Sequence, residues 1–160
     1  MDNSIVAALI GVAGTIVGAA IPLMSGRRSA VRTKAYDQVT GSITEPSRDA
    51  VVDRSIPCEG LVLGMQEGMN LWLAVEVGGL VWPKESKVLP GPAGKWTAVV
   101  FEDGASERMA LSLFVADAKA DRRIREWLDA GRRSGTYTEL PGIPGARRLA
   151  RVDGLQLKKS

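Results

Sequence analysis

The sequence predicts a mainly β fold, an antiparallel two-sheet sandwich or barrel with one amphipathic helix, preceded by a single transmembrane α-helix. Three observations predict it. Residues Ile5 to Met24 carry no charge. After Gly41, apolar residues recur with period two between Gly, Pro, Asp and Ser turn signals. One segment, 118–130, changes to helical spacing.

The apolar front comes first. Roughly 20 residues rising 1.5 Å each cover a hydrocarbon core ~30 Å thick, so 5–25 reads as one crossing behind a short external N-terminus, 1–4. A secretory signal would need a positive stretch before the apolar run, whereas the leading residues here are Met-Asp-Asn-Ser. The basic residues come afterwards, as Arg27, Arg28, Arg32 and Lys34. Positive charge stays on the cytoplasmic side. The expectation is therefore a single-pass protein of the cell membrane, with its N-terminus outside, its C-terminal domain cytoplasmic and membrane lipid as a partner. Ala7, Gly11, Gly14 and Gly18 advance by alternating fours and threes, which keeps them on one helix face. Such a face lets two backbones approach closely in lipid. The helix either self-associates into a homo-oligomer through these residues or only anchors.

Residues 26–41 are polar and basic and read as a juxtamembrane linker, attracted to anionic lipid or merely setting topology. Strands are expected near 42–46, 54–63, 69–77, 80–83, 95–101, 107–116 and 147–157, within a domain spanning 42–160. In the third of these, Leu71, Leu73, Val75 and Val77 share one face, while Trp72, Ala74 and Glu76 share the other. Met109, Leu111, Leu113 and Val115 form a similar face. In the second strand the face is Ile56, Cys58 and Val62, and Pro57 suits an edge position that can spare its N–H.

The helix begins behind Asp117, a suitable N-cap, and Ala120, Ile124, Trp127 and Leu128 follow its apolar spacing. Gly131 stands where a C-terminal cap belongs. Acid and base four residues apart, Asp121 with Arg125 among them, give the outer face solvated ion pairs. The following loop is rich in Gly and Pro and carries Tyr137. Long loops are often functional, so Tyr137 is the candidate contact residue, the alternative being a passive connector.

Catalytic chemistry has little material. The chain has no histidine and a single cysteine, Cys58. The commonest general base and metal ligand is missing, no intrachain disulfide can form, and Cys58 sits among apolar neighbours as a structural thiol. No catalytic residue, metal site or cofactor is expected. The net charge of +3 is spread along the chain. Without interleaved aromatics, this disfavours nucleic acid as a partner.

The run Ile43-Thr-Glu-Pro46 through Cys58-Glu-Gly-Leu-Val62 resembles the opening of bacterial Ig-like modules, and Gly94-Lys-Trp96 through Val100 is similar to a later strand of the same modules. The resemblance covers roughly 43 to 116 and implies an Ig-like antiparallel β-sandwich used for recognition. Antibody-type domains also place a Cys and a core Trp on successive strands, as Cys58 and Trp72 do, but the second Cys is absent here.

Two functional readings follow. In one, a membrane-anchored, non-catalytic recognition or assembly module docks an unidentified protein partner. In the other, a membrane-perturbing effector oligomerises through its helices once its β domain receives a signal. That layout is similar to some bacterial antiphage effectors that sense a nucleotide. A nucleotide ligand thus stays open, although no residue can be matched to it.

Overall fold

The computed structural model describes residues 36–104 and 108–158. Eight strands and one long helix follow in order: β1 (Thr40–Glu45), β2 (Val51–Val52), β3 (Ser55–Leu63), β4 (Asn70–Val77), β5 (Leu80–Val88), β6 (Lys95–Phe101), β7 (Met109–Ala116), α1 (Ala118–Ser134) and β8 (Ala146–Leu157). They form a three-stranded sheet, β1-β3-β6, and a five-stranded sheet, β2-β8-β7-β4-β5.

Alternation along the strands explains the layers. Ile56, Cys58, Val62, Trp96 and Val100 of the smaller sheet pack against Leu71, Leu73, Val75, Leu111, Leu113 and Leu155 of the larger one in a single core. The opposite face of β4 and β7 is apolar as well. Trp72, Ala74 and Phe114 there meet Ala120, Ile124 and Leu128 of α1. The order is therefore small sheet, large sheet, helix. A strand buried on both faces loses the polar-out pattern, and β4 is buried from Leu71 through Glu76.

Two glycines are fixed by close approach. A Cβ on Gly60 would fall 2.0 Å from the Ser42 carbonyl oxygen and 2.3 Å from the Trp96 ring, so β3 can pass the buried indole only as glycine. Gly131 does not end α1. The helix runs on to Ser134 and closes at Gly135, which takes the left-handed conformation at φ 72°, while Gly131 is buried beneath Tyr137. Asp117 does cap the other end, accepting from the N–H groups of Lys119 at 3.0 Å and Ala120 at 2.8 Å.

The two lateral sides of the fold differ. On one, β1 lies against β8, and β2 pairs in parallel with β8, Val51 opposite Gln156 and Val52 opposite Leu157. On the other, β5 and β6 approach each other but belong to different sheets, with no ladder joining them. Neither side carries a ladder between the two sheets, but on the first the chain itself crosses, from β2 of the large sheet straight into β3 of the small one, which leaves a half-barrel whose open side is that of β5 and β6.

Several expectations are corrected. The span at 5–25, its face of Ala7, Gly11, Gly14 and Gly18, and the basic residues Arg27, Arg28, Arg32 and Lys34 lie outside the described residues. Among the described residues no helix is long and apolar enough to cross a membrane. Helix α1 has 17 residues, with Arg122, Arg123, Arg125, Glu126, Asp129 and Arg132 exposed along it, too short and too charged for a hydrocarbon core ~30 Å thick. The described residues give no support to the single-pass architecture, nor to the cell-membrane location, the lipid partner, the helix-driven homo-oligomer and both membrane-based functions expected from it. The expected Ig-like sandwich behind a membrane helix becomes a β-rich fold with one helix and half-barrel sheets, one of its strand pairings parallel. The stretch read as linker also contributes to the fold. Tyr36 and Val39 are buried in the core, and the Tyr36 hydroxyl donates to the Gly145 carbonyl at 2.7 Å while accepting from the Asp117 N–H at 2.7 Å.

Candidate functional site

The open side holds a groove of about 860 Å³ between β5, β6 and α1. Leu73, Val100 and Leu128 lie at its base, all buried. One wall is aromatic. Trp82 of β5 lies 6.2 Å from Trp127 of α1, and Trp127 lies 4.9 Å from Tyr137 of the following loop, centroid to centroid. These are tilted arrangements favoured by the ring quadrupoles.

The wall is held from behind. The Trp127 indole N–H donates to the Thr138 carbonyl at 2.8 Å, and Tyr137 is seated on Gly131. The same loop reaches back to the start of β5, where the Val81 N–H donates to the Leu140 carbonyl at 2.7 Å. Rings fixed in this way are ordered before any ligand arrives, which lowers the entropy that binding must offset.

The facing lip is β6. Its outward residues Thr97, Val99 and Phe101 line the groove, and Val99 and Phe101 are 64% and 63% exposed. Lys84 pairs with Glu102 at 2.6 Å, both side chains largely buried. Lys87 donates to Asn70 at 2.7 Å and pairs with Asp121 at 3.2 Å. Glu85 and Asp103 also line the groove, are exposed, and form no ion pair among the described residues.

Asp121 pins α1 to the large sheet. Its carboxylate accepts from the Trp72 indole N–H at 3.0 Å and from Arg125 Nε and Nη2 at 3.0 and 2.5 Å. Burial pushes its pKa up, but hydrogen bonds from Arg125, Lys87 and Trp72 outweigh that and hold it below the usual aspartate range.

A second pocket, about 340 Å³, lies where α1 leaves the large sheet uncovered. Glu76, 8% exposed, accepts there from Ser112 at 2.6 Å, from Arg148 at 2.9 and 3.0 Å and from Arg151 at 2.9 Å. Arg48 and Arg108 at the rim face Asp49, each at 3.9 Å. Four arginines thus share three carboxylates, Glu76, Asp49 and Asp153, and each of the four has at least one of them within ion-pair distance.

Neither pocket presents an activated nucleophile. Cys58 is buried, and desolvation pushes its thiol up to about 11 despite a backbone hydrogen bond at Val100 that lowers it. Among the described residues no group of three or more His, Cys, Asp or Glu is placed to hold a metal ion.

Of the residues singled out from the sequence, Tyr137 falls at the groove, half-buried against Gly131 and Trp127. Trp82, Val99, Phe101 and Trp127 escaped notice as site residues. A signal existed for two of them: Val99 and Phe101 occupy the face of their strand opposite Trp96 and Val100, so that strand is apolar on both sides. No protein-family model matches the chain, and no curated protein matches it in sequence.

Proposed function

We propose that the domain is a non-catalytic binding module that takes an extended polypeptide segment as an added strand in the groove between β5 and β6. The observation that carries this reading is the open side: two strand edges face each other without a ladder, above an apolar base and beside a fixed aromatic wall.

The two edges are unequal. An unpaired edge is a template for another chain, and folds blunt such edges with Pro and Lys. β5 carries Pro83, Lys84 and Lys87, and its first residues are engaged by the loop at Leu140. β6 has one partner, β3, and Lys95 alone among its residues is charged. An incoming strand therefore pairs with β6. Main-chain hydrogen bonds supply affinity, and the wall and base select alternate side chains.

Selection of displayed peptides against the full-length protein tests this, followed by hydrogen exchange on the complexes. Selected peptides should alternate apolar and polar residues and slow exchange in β6. Protection confined to another part of the molecule, or a Val99→Pro variant that binds the same peptides equally well, would overturn the reading.

A further inference from the structure

Resting on that reading, we infer that the polypeptide received by the groove is basic, and that it presents an arginine or lysine side chain to the face of the Trp82, Trp127 and Tyr137 cluster. Charge complementarity and ring chemistry point the same way.

Five charged residues line the groove: Lys84, Lys87, Glu85, Glu102 and Asp103. Both lysines are already committed, Lys84 to Glu102 and Lys87 to Asp121 and Asn70. Asp121 already carries Arg125 as well as Lys87, so over the lining itself two lysines face three carboxylates, a surplus of one negative charge, and Glu85 and Asp103 are its exposed carboxylates without an ion pair among the described residues. An acidic segment would add to that surplus, whereas a basic one would neutralise it.

The wall adds a second attraction. Indole and phenol faces carry negative quadrupole potential, and a guanidinium or ammonium held over them is stabilised, most strongly over tryptophan. The indole N–H of Trp127 is turned away to Thr138. Its position is thus fixed by a bond that does not use its face. A guanidinium also stacks flat on a ring while its N–H groups reach carboxylates in the same plane. Arginine is accordingly the side chain best suited to a groove that combines an aromatic wall with exposed carboxylates.

The test uses full-length protein and three blocked peptides of alternating Val and Thr that differ only at the central residue, Arg, Gln or Glu. Titration calorimetry should give the Arg peptide roughly 3- to 30-fold tighter binding than the Gln peptide, with the Glu peptide weakest and the advantage shrinking as salt is raised. The advantage should vanish in a Glu85→Gln, Asp103→Asn double variant, whose substitutions are exposed, and shrink in Trp82→Leu. Val99→Pro should weaken all three peptides alike. If the three bind equally while Val99→Pro weakens them all, the basic preference is wrong and strand addition stands. If the Arg preference persists in the double variant, the cation is read elsewhere and the inference fails. If none of the peptides binds, or Val99→Pro changes nothing, the strand reading itself fails.

Discussion

The ring of Tyr137 occupies the space where any side chain at position 131 would begin: a Cβ on Gly131 would lie 2.1 Å from the ring's Cδ1 and 2.2 Å from Cε1. Helix, loop and groove wall meet at this contact. Gly131→Ala should raise helix propensity by up to about 1 kcal/mol, yet it must expel the ring from its seat. The expected net result is a loss of about 1 kcal/mol through overpacking, with altered tryptophan fluorescence as Trp127 loses its neighbour. A variant more stable than wild type with an unchanged emission spectrum would show that the contact is incidental.

Gly60→Ala is a sharper case. The added carbon collides with a backbone carbonyl as well as with an indole, and neither can rotate away. A loss of about 3 kcal/mol or more is expected, at the upper end of overpacking, together with a changed near-UV signal from Trp96. Urea denaturation measures it, and a loss below about 1 kcal/mol, the typical cost of an average substitution, would mean that β3 and β6 are less tightly apposed than described.

Asp121 gives a pH signature. Its folded pKa lies below the unfolded value, so the stability it contributes is fully present above a pH of about 4, the unfolded pKa, and is lost as pH falls through the folded pKa. Asp121→Asn should cost about 1–3 kcal/mol at neutral pH, because Lys87, Arg125 and Trp72 lose a charged acceptor. The gap between variant and wild type should narrow in acid. Equal losses at pH 7 and at low pH would remove ionisation from the explanation.

Cys58 should resist thiol reagents in the native state. With its pKa raised to about 11 and its sulfur buried, labelling at pH 8 should proceed only as fast as the fold opens. The logarithm of its rate should therefore rise linearly with added denaturant. Labelling at the rate of a free thiol without denaturant would contradict the burial.

Phe101→Ser separates stability from binding. At 63% exposure the ring adds little to the fold, and the melting midpoint should move by no more than about 0.5 kcal/mol equivalent. Peptide binding in the groove should nevertheless weaken several-fold. An equal peptide affinity with a large stability loss would reverse the assignment.

Much of the strand plan is legible in the sequence because burial on one side imposes a period of two. The alternation through Ile56, Cys58 and Val62 and through Leu71, Leu73 and Val75 marks residues that do face the common core. Other features leave no periodic trace. Val51–Val52 is too short to show a period and is a strand only because β8 lies beside it. β5 continues to Val88 where the sequence predicts a strand over 80–83 only, because Pro83 lies on an edge strand whose outer N–H groups need no ladder partner. Trp72 could be assigned to the outer face, but its bond to Asp121 joins residues 49 apart, and no local pattern announces it. The groove is harder still, since it is a property of two edges left unpaired. The uncharged run at the front of the chain reads as a span by composition alone, and its residues lie outside those described.

The parallel pairing of β2 with β8 also sets an order of events during synthesis. Lys158, just beyond β8, reaches Asp53, just beyond β2, across 105 positions of chain, and the two strands it joins pair in parallel. β3, β4, β5 and β6 can find one another as they leave the ribosome, yet β2 must wait with its edge bare until β8 emerges. Throughout that interval the edges of β2 and β7 that β8 will join are both bare, and a chaperone that shields strand edges would find its substrate there.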